Sequence, residues 1–326
     1  MLETLLLRSL LIWRTRRAER LRDVWQPLLV ESLDGSPNQL PSLPRRDVFS
    51  FLLLWNYLQD SLRDEAHENL NRVARQIGID QQAFQLLEQG NLRRKLIAIQ
   101  TLGWLREKQA WNKLLEIADD DDPVLSLTAA KALLRIDGAL AVESIIEFVK
   151  RRDDWSTAMV AGMLSEAGAD LISAPLARAA LETPLEHAPR MIHFLELAHA
   201  EIALPVVHQM MERSTEMEII TACLRVLQNP EDLPIVRQLL KDERWQIRLQ
   251  AAVFLGRTGT HEDEARLAHA CGDLEWWVRY RAAQALAHLP SMSAEHLSEI
   301  AESHFNEFAR DIIRQVIAER QVLQQC

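Results

Sequence analysis

Asp273–Leu286 reads DLEWWVRYRAAQAL, and this stretch decides the fold. Asp273 is placed to cap a helix, because a short acidic side chain accepts from the free N–H groups of a first turn. Val278, Ala282, Ala285 and Leu286 stand at offsets 0, 4, 7 and 8, one apolar stripe at helical spacing. At a step of 31 residues back, Asp242–Leu255 reads DERWQIRLQAAVFL. There Trp245 matches Trp276, Ile247 matches Val278, Arg248 matches Arg279, and Ala251-Ala252 match Ala282-Ala283. A capped helix with its stripe and its arginine, written twice at one step, is a structural repeat.

Outward from this pair the same phase runs through most of the chain. A leucine anchors the first helix of each unit at Leu102, Leu133, Leu164, Leu195, Leu224, Leu255 and Leu286, in steps of 31, 31, 31, 29, 31 and 31. Second helices keep the phase through Leu115, Ile146, Leu176, Val207, Val236, Leu267 and Ile300. Pro175, Pro205 and Pro234 stand 30 and 29 apart and read as second-helix starts, the position that tolerates a missing N–H. Acidic turns at Asp119–Asp122, Asp153-Asp154, Asp242 and Asp273 suit the positive ends of first helices. No such unit can bury its apolar stripes alone, so neighbours must stack. The expectation is an all-α, right-handed α-solenoid of seven two-helix repeats over residues 92–303: fourteen helices in antiparallel pairs.

The flanks read differently. In residues 1–33 the apolar run Leu5–Trp13 is followed by Arg14, Arg16, Arg17, Arg20 and Arg22. It is far shorter than the roughly 20 apolar residues of a spanning helix, and it lacks the charge order and cleavage site of a secretory signal. Three readings stand: a basic amphipathic helix at a membrane surface, with Leu6, Leu10, Trp13, Arg14, Arg16 and Arg17 in contact, the cytoplasmic end of an anchor lying upstream, or a first helix packed on its neighbour. Residues 34–46, DGSPNQLPSLPRR, read as a linker. Residues 47–91 read as three helices covering one end of the repeats, with Gly78 as a stop. Residues 304–326 carry Phe305, Phe308, Ile312, Val316 and Ile317 on one face and charges on the other, the pattern of a capping helix that departs from the repeat.

Composition bounds the function. Among 326 residues there are only 10 glycines and 2 tyrosines, and the net charge is −10. An acidic chain disfavours nucleic acid as a partner, since phosphate neutralisation needs a basic face. Cys223, Cys271 and Cys326 are widely spaced and form no CxxC, which argues against a zinc site or disulfide framework and fits a reducing compartment.

The DxxWxVRxxAAxAL pattern resembles HEAT repeats, in particular the short bacterial HEAT-like repeats of about 30 residues. The resemblance covers Leu92–Ser303 and is most specific where Asp242 with Arg248 and Asp273 with Arg279 are both present; Ser126 replaces the arginine in an earlier unit. It implies that these charged side chains bridge neighbouring units. The whole layout is similar to bacterial HEAT-repeat proteins held at the inner membrane and associated with polysaccharide or glycosyltransferase systems, which implies a cytoplasmic, membrane-proximal solenoid.

Enzymatic members of this broad class leave marks that are weak or missing here. Hydroxylases of the deoxyhypusine type carry four His-Glu dipeptides for two irons; here only His67-Glu68 and His261-Glu262 occur. Alkylpurine glycosylase-like proteins need a basic groove. Bilin lyase-like proteins use similar units, and a lyase or enzyme-associated subunit binding a tetrapyrrole or other small ligand is the alternative kept open. The leading expectation is a non-catalytic scaffold, with no cofactor and no metal, that binds a protein partner through a concave surface of second helices. Its candidate contact residues are Trp277, Arg279 and Tyr280, since Trp, Tyr and Arg dominate interface hot spots. Trp276 is expected to pack within the repeat, because Trp245 shares its position.

Overall fold

The computed structural model describes residues 17, 19–33, 35, 40–62, 66–290 and 292–324. They form an all-α solenoid with no strand among the described residues, divided into two units, Met1–Ala167 and Gly168–Cys326.

The first unit begins with α1 (residues 19–31), followed by α2 (Val48–Ser61), α3 (Ala66–Gln76) and α4 (Ile79–Gln89). Gly78 turns the chain between α3 and α4 at φ 71°, a left-handed conformation that a residue without Cβ adopts freely. The core here joins Trp25 and Leu29 of α1 to Phe51, Leu52 and Trp55 of α2 and Leu70 of α3, with Leu40 and Leu43 packed against it. Trp25 meets Phe51 edge to face at 4.8 Å. A buried polar chain crosses the same region: Gln59 donates to Asn71 and Asn71 to the Trp104 carbonyl, both at 2.9 Å. Each of these amides would be costly to bury unpaired.

Repeats follow in α5 (Leu92–Trp104), α6 (Trp111–Ala118), α7 (Pro123–Arg151) and α8 (Thr157–Ala167). α7 breaks at Asp137 (φ −155°, ψ 90°), whose carboxylate accepts from the Leu140 N–H at 3.2 Å, so it is two helices of one repeat joined without a loop. Ser126 is not a gap in the pattern. Arg152 and the Trp155 indole N–H both donate to its hydroxyl, at 3.0 and 2.9 Å, and Arg152 also donates to the Asp120 carbonyl.

The second unit holds α9 (Ala169–Glu182), α10 (Ala188–Phe194), α11 (Ala200–Arg213), α12 (Met217–Val226), α13 (Leu233–Leu239), α14 (Trp245–Thr258), α15 (Glu264–Ala270), α16 (Trp276–His288), α17 (Ala294–Ser303) and α18 (Glu307–Gln324). First helices stack in series, α10 on α12, α12 on α14, α14 on α16 and α16 on α18. Each second helix packs on the first helix that follows it, α15 on α16 and α17 on α18 among them. With α7 counted as two, residues 92–303 hold the fourteen expected helices.

All seven first-helix leucines are buried, each at 1% exposure or less. The second-helix register needs two corrections. Leu115 is 36% exposed while Leu114 is fully buried, because Ala110, Leu114 and Ala118 make the inward stripe and Leu115 lies about 100° round the helix from it. At the other end Leu297 is 1% exposed and Ile300 is only half-buried. The prolines need a third. Pro234 does start α13, but Pro175 and Pro205 lie inside α9 and α11. The turn ahead of the proline is a separate 3-10 turn before α13 (Pro230–Asp232) and is fused to the helix in α9 and α11.

The last helix continues the repeat. His304, Ala309, Arg310, Ile313 and Val316 stand 31 residues after Asp273, Val278, Arg279, Ala282 and Ala285. Arg310 donates to the His304 carbonyl as Arg279 does to that of Asp273. Ala309, Ile312, Ile313 and Val316 are buried, and Phe305 and Phe308, expected on that apolar face, are exposed instead. α18 is therefore a first helix in register whose outward side carries Glu307, Asp311 and Arg314, as a cap requires.

Candidate protein-docking surface

The turns before α16 and α18 and the first turns of those helices carry five exposed large apolar side chains. Leu274 is 95% exposed, Trp276 41%, Trp277 54%, Phe305 81% and Phe308 58%. An isolated exposed apolar residue needs no explanation, but a cluster of this kind marks interaction sites.

Trp276 is the correction here: it is not repeat packing. Spacing of i and i+4 sets Tyr280 beside it on the same helix face, and the two rings stack at 5.2 Å with 9° between their planes. Trp277 meets Trp276 edge-on at 4.7 Å. Three rings thus brace one another at the start of α16; such pairs add about 0.5–1.5 kcal/mol each beyond area. Trp245, one unit earlier, has Gln246 and Leu249 where Trp277 and Tyr280 stand and is half-buried.

Tyr280 donates its hydroxyl to Glu319 on α18 at 2.9 Å, and that hydrogen bond, with burial, raises the phenol pKa. Its hydroxyl stitches α16 to α18 while its ring supports Trp276. Arg279 donates to the Asp273 and Leu274 carbonyls at 2.8 and 3.0 Å and holds its guanidinium 5.2 Å above the Phe308 ring. The expected bridge to an acidic turn is not made by Arg279, because His304 occupies the position that an aspartate would hold. Arg248 does make it, to Asp273. Of this exposed surface the sequence reading named Trp277, with Arg279 and Tyr280 beside it, and did not name Trp276, Phe305 and Phe308; the 31-residue register was the signal that could have found Phe308.

The other candidates lie elsewhere. Leu6, Leu10, Trp13, Arg14 and Arg16 fall outside the described residues. Arg17 is hydrogen-bonded to Asp47, which lowers the Asp47 pKa, first through that bond. No described helix is long and apolar enough to cross a membrane. His67 stacks on Trp104 at 4.8 Å with its Nδ1 on Gln59, and His261 opens a 3-10 turn whose Glu262 pairs with Arg237. No group of three or more His, Cys, Asp or Glu among the described residues is placed to hold a metal. Cys223 and Cys271 are buried, and burial pushes both thiols up to about 12, so they are core residues without thiolate reactivity at neutral pH.

A search of the curated proteins finds no match to this chain. The family model described as HEAT repeats matches residues 204–287, a span that runs from α11 through most of α16 and includes Trp276, Trp277 and Tyr280.

Proposed function

We propose that this chain is a non-catalytic scaffold that holds a protein partner on the aromatic surface at the start of α16 and α18. A helical repeat scaffold capable of protein binding is what HEAT repeats suggest; the contact surface is the new element. The observation that carries it is the exposure of Trp277 and Phe308 at equivalent places in two successive repeats. Neither ring is needed to fill the core, and both sit beside braced neighbours, the setting in which aromatic hot spots act. The test is site-specific photocrosslinking from position 277 in native cells, alongside the full chain carrying Trp277→Ala and Phe308→Ala. Adducts that form from position 277, and pull-down of the same proteins that fails with the double substitution, support the docking site. Pull-down unchanged by that substitution, with both chains equally folded, rejects it.

The same reading extends to the inner face of a bacterial membrane, with a partner in a polysaccharide or glycosyltransferase system as the resemblance implies. What supports it is the order of features in residues 1–22, an apolar run followed by five arginines. Cationic side chains next to an apolar segment are drawn to anionic lipid by about 1 kcal/mol per charge.

A further inference from the structure

We infer that the cleft between the start of α1 and residues 41–47 is a binding site for the phosphate of an anionic membrane phospholipid. This rests on the membrane half of the reading above and names the lipid chemistry that the folded body takes.

One helix face makes the first wall. Arg17, Arg20, Leu21, Val24 and Trp25 stand at offsets 0, 3, 4, 7 and 8, and all five line a cleft of about 320 Å³. Leu43, Pro44 and Arg46 line it from the other side. The walls are fixed before any ligand arrives. Arg17 is hydrogen-bonded to Asp47, and Trp25, only 3% exposed, belongs to the same core as Phe51 and Trp55.

Charge is the second observation. The charged groups lining the cleft are Arg17, Arg20, Arg46 and Asp47, three guanidiniums against one carboxylate. Asp47 is occupied by Arg17, and that bond holds its carboxyl below the ordinary range. The excess therefore falls to Arg20 and Arg46, both exposed. Just outside the lining, the charges of Glu19, Arg22, Asp23 and Arg45 cancel. In a chain of net charge −10 the cleft is a local reversal of sign, and the guanidinium fork is matched to phosphate oxygens.

The floor separates a lipid from a bare anion. Val24 is 51% exposed and Leu43 half-buried beside the arginines. Inorganic phosphate leaves that apolar surface wet, whereas the glycerol ester segment of a lipid covers it. Position separates a bilayer from a soluble acidic partner. Arg16 directly precedes Arg17, so its Cα lies about 3.8 Å from that of a residue in the cleft wall. A bilayer touched by Arg14 and Arg16 is already at the cleft.

The test titrates the full chain at low salt with dihexanoyl phosphatidylglycerol, kept below its micelle concentration, by isothermal titration calorimetry. Dihexanoyl phosphatidylcholine and inorganic phosphate are the comparison ligands. The expected result is saturable binding of the glycerol lipid about tenfold or more tighter than either. Arg20→Gln with Arg46→Gln should weaken it at least about tenfold, with the thermal midpoint in place. Arg22→Gln with Arg45→Gln makes the same charge change outside the cleft and should leave the affinity unchanged. Equal loss from the two pairs overturns the inference, because the attraction is then diffuse charge. Equal or tighter binding of the choline lipid or of inorganic phosphate overturns it as well. If the glycerol lipid fails to bind while flotation of the chain still depends on Arg14 and Arg16, the cleft is wrong and the membrane reading stands. If flotation is also indifferent to them, both fall.

Discussion

Arg248 on α14 grips Asp273 in the turn before α16 by two parallel bonds, Nε to Oδ2 at 2.7 Å and Nη2 to Oδ1 at 2.8 Å. Its remaining nitrogen donates to the Asp242 and Glu243 carbonyls at 2.7 and 2.8 Å, so one side chain ties the turn of its own repeat to that of the next. The two side chains are only 15% and 11% exposed, which lifts the pair above an ordinary surface ion pair. Burial opposes ionisation of Asp273, but the bonds from Arg248 and from the Glu275 N–H outweigh it and leave the carboxyl below its ordinary pKa. A depressed folded pKa contributes stability above the unfolded carboxylate range and loses it as pH falls through the folded value. Arg248→Ala should therefore cost about 1–3 kcal/mol at pH 7, and the gap from wild type should narrow as pH falls below about 4, leaving the part owed to the Asp242 and Glu243 carbonyls. Urea melts at pH 7 and pH 3 check this; an equal gap at both means the ion pair contributes nothing specific.

Gly256 follows the anchor Leu255 on α14 and lies against α16. A Cβ built on Gly256 would stand 3.0 Å from the Cα and Cβ of Ala285, and one on Gly103 would stand 2.9 Å from those of Ala132. Gly256→Ala gains up to about 1 kcal/mol of helix propensity but forces two backbones apart, at a cost of about 1–3 kcal/mol. The expected net effect is destabilisation, partly recovered by Ala285→Gly in the same chain. A double-mutant cycle with no coupling would show that the close approach is not maintained in solution.

The corrected register of the second helices can be read from paired substitutions. Leu114→Ala should cost about 2–5 kcal/mol, as should Leu255→Ala and Leu286→Ala, whereas Leu115→Ala should cost under about 1 kcal/mol. Equal costs at positions 114 and 115 would restore the register in which Leu115 faces inward.

Why the first-helix phase was legible throughout while the second-helix anchor Leu115 fell one residue off is a matter of neighbours. Leu102 follows Ala98, and Leu255 follows Ala251, by four residues, so each closes a stripe at helical spacing that recurs at the same step. Leu114-Leu115 and Ile145-Ile146 are adjacent apolar pairs, and a 3.6-residue period over one short helix cannot choose between them. The continuity of α18 with the repeat was hidden because its matching positions changed type, Asp273 to His304 and Ala282 to Ile313, while the backbone pattern of Arg310 on the His304 carbonyl persisted. Of the candidate site, Trp277 and Tyr280 stood out because their counterparts one repeat earlier are not aromatic. Exposure decided the rest: Trp245 and Trp276 share a register position, and only the three-dimensional company of Trp277 and Tyr280 distinguishes them.

Membrane contact by residues 1–22 is tested by flotation of the full chain with anionic liposomes. Removing the first 46 residues would be a poor comparison, because Trp25 and Leu29 belong to the same core as Phe51 and Trp55. Charge reversal at Arg14 and Arg16 leaves that core intact, and it spares Arg17, which is tied to Asp47. At roughly 1 kcal/mol per charge near the surface, losing two arginines should lower the bound fraction at least about tenfold. Raising the salt toward 1 M should do the same to the unaltered chain, since it shortens the screening length to about 3 Å. A chain that stays with the soluble fraction at low salt, or that floats equally well after Arg14→Glu and Arg16→Glu, removes the membrane from the proposed function and leaves the aromatic surface to stand alone.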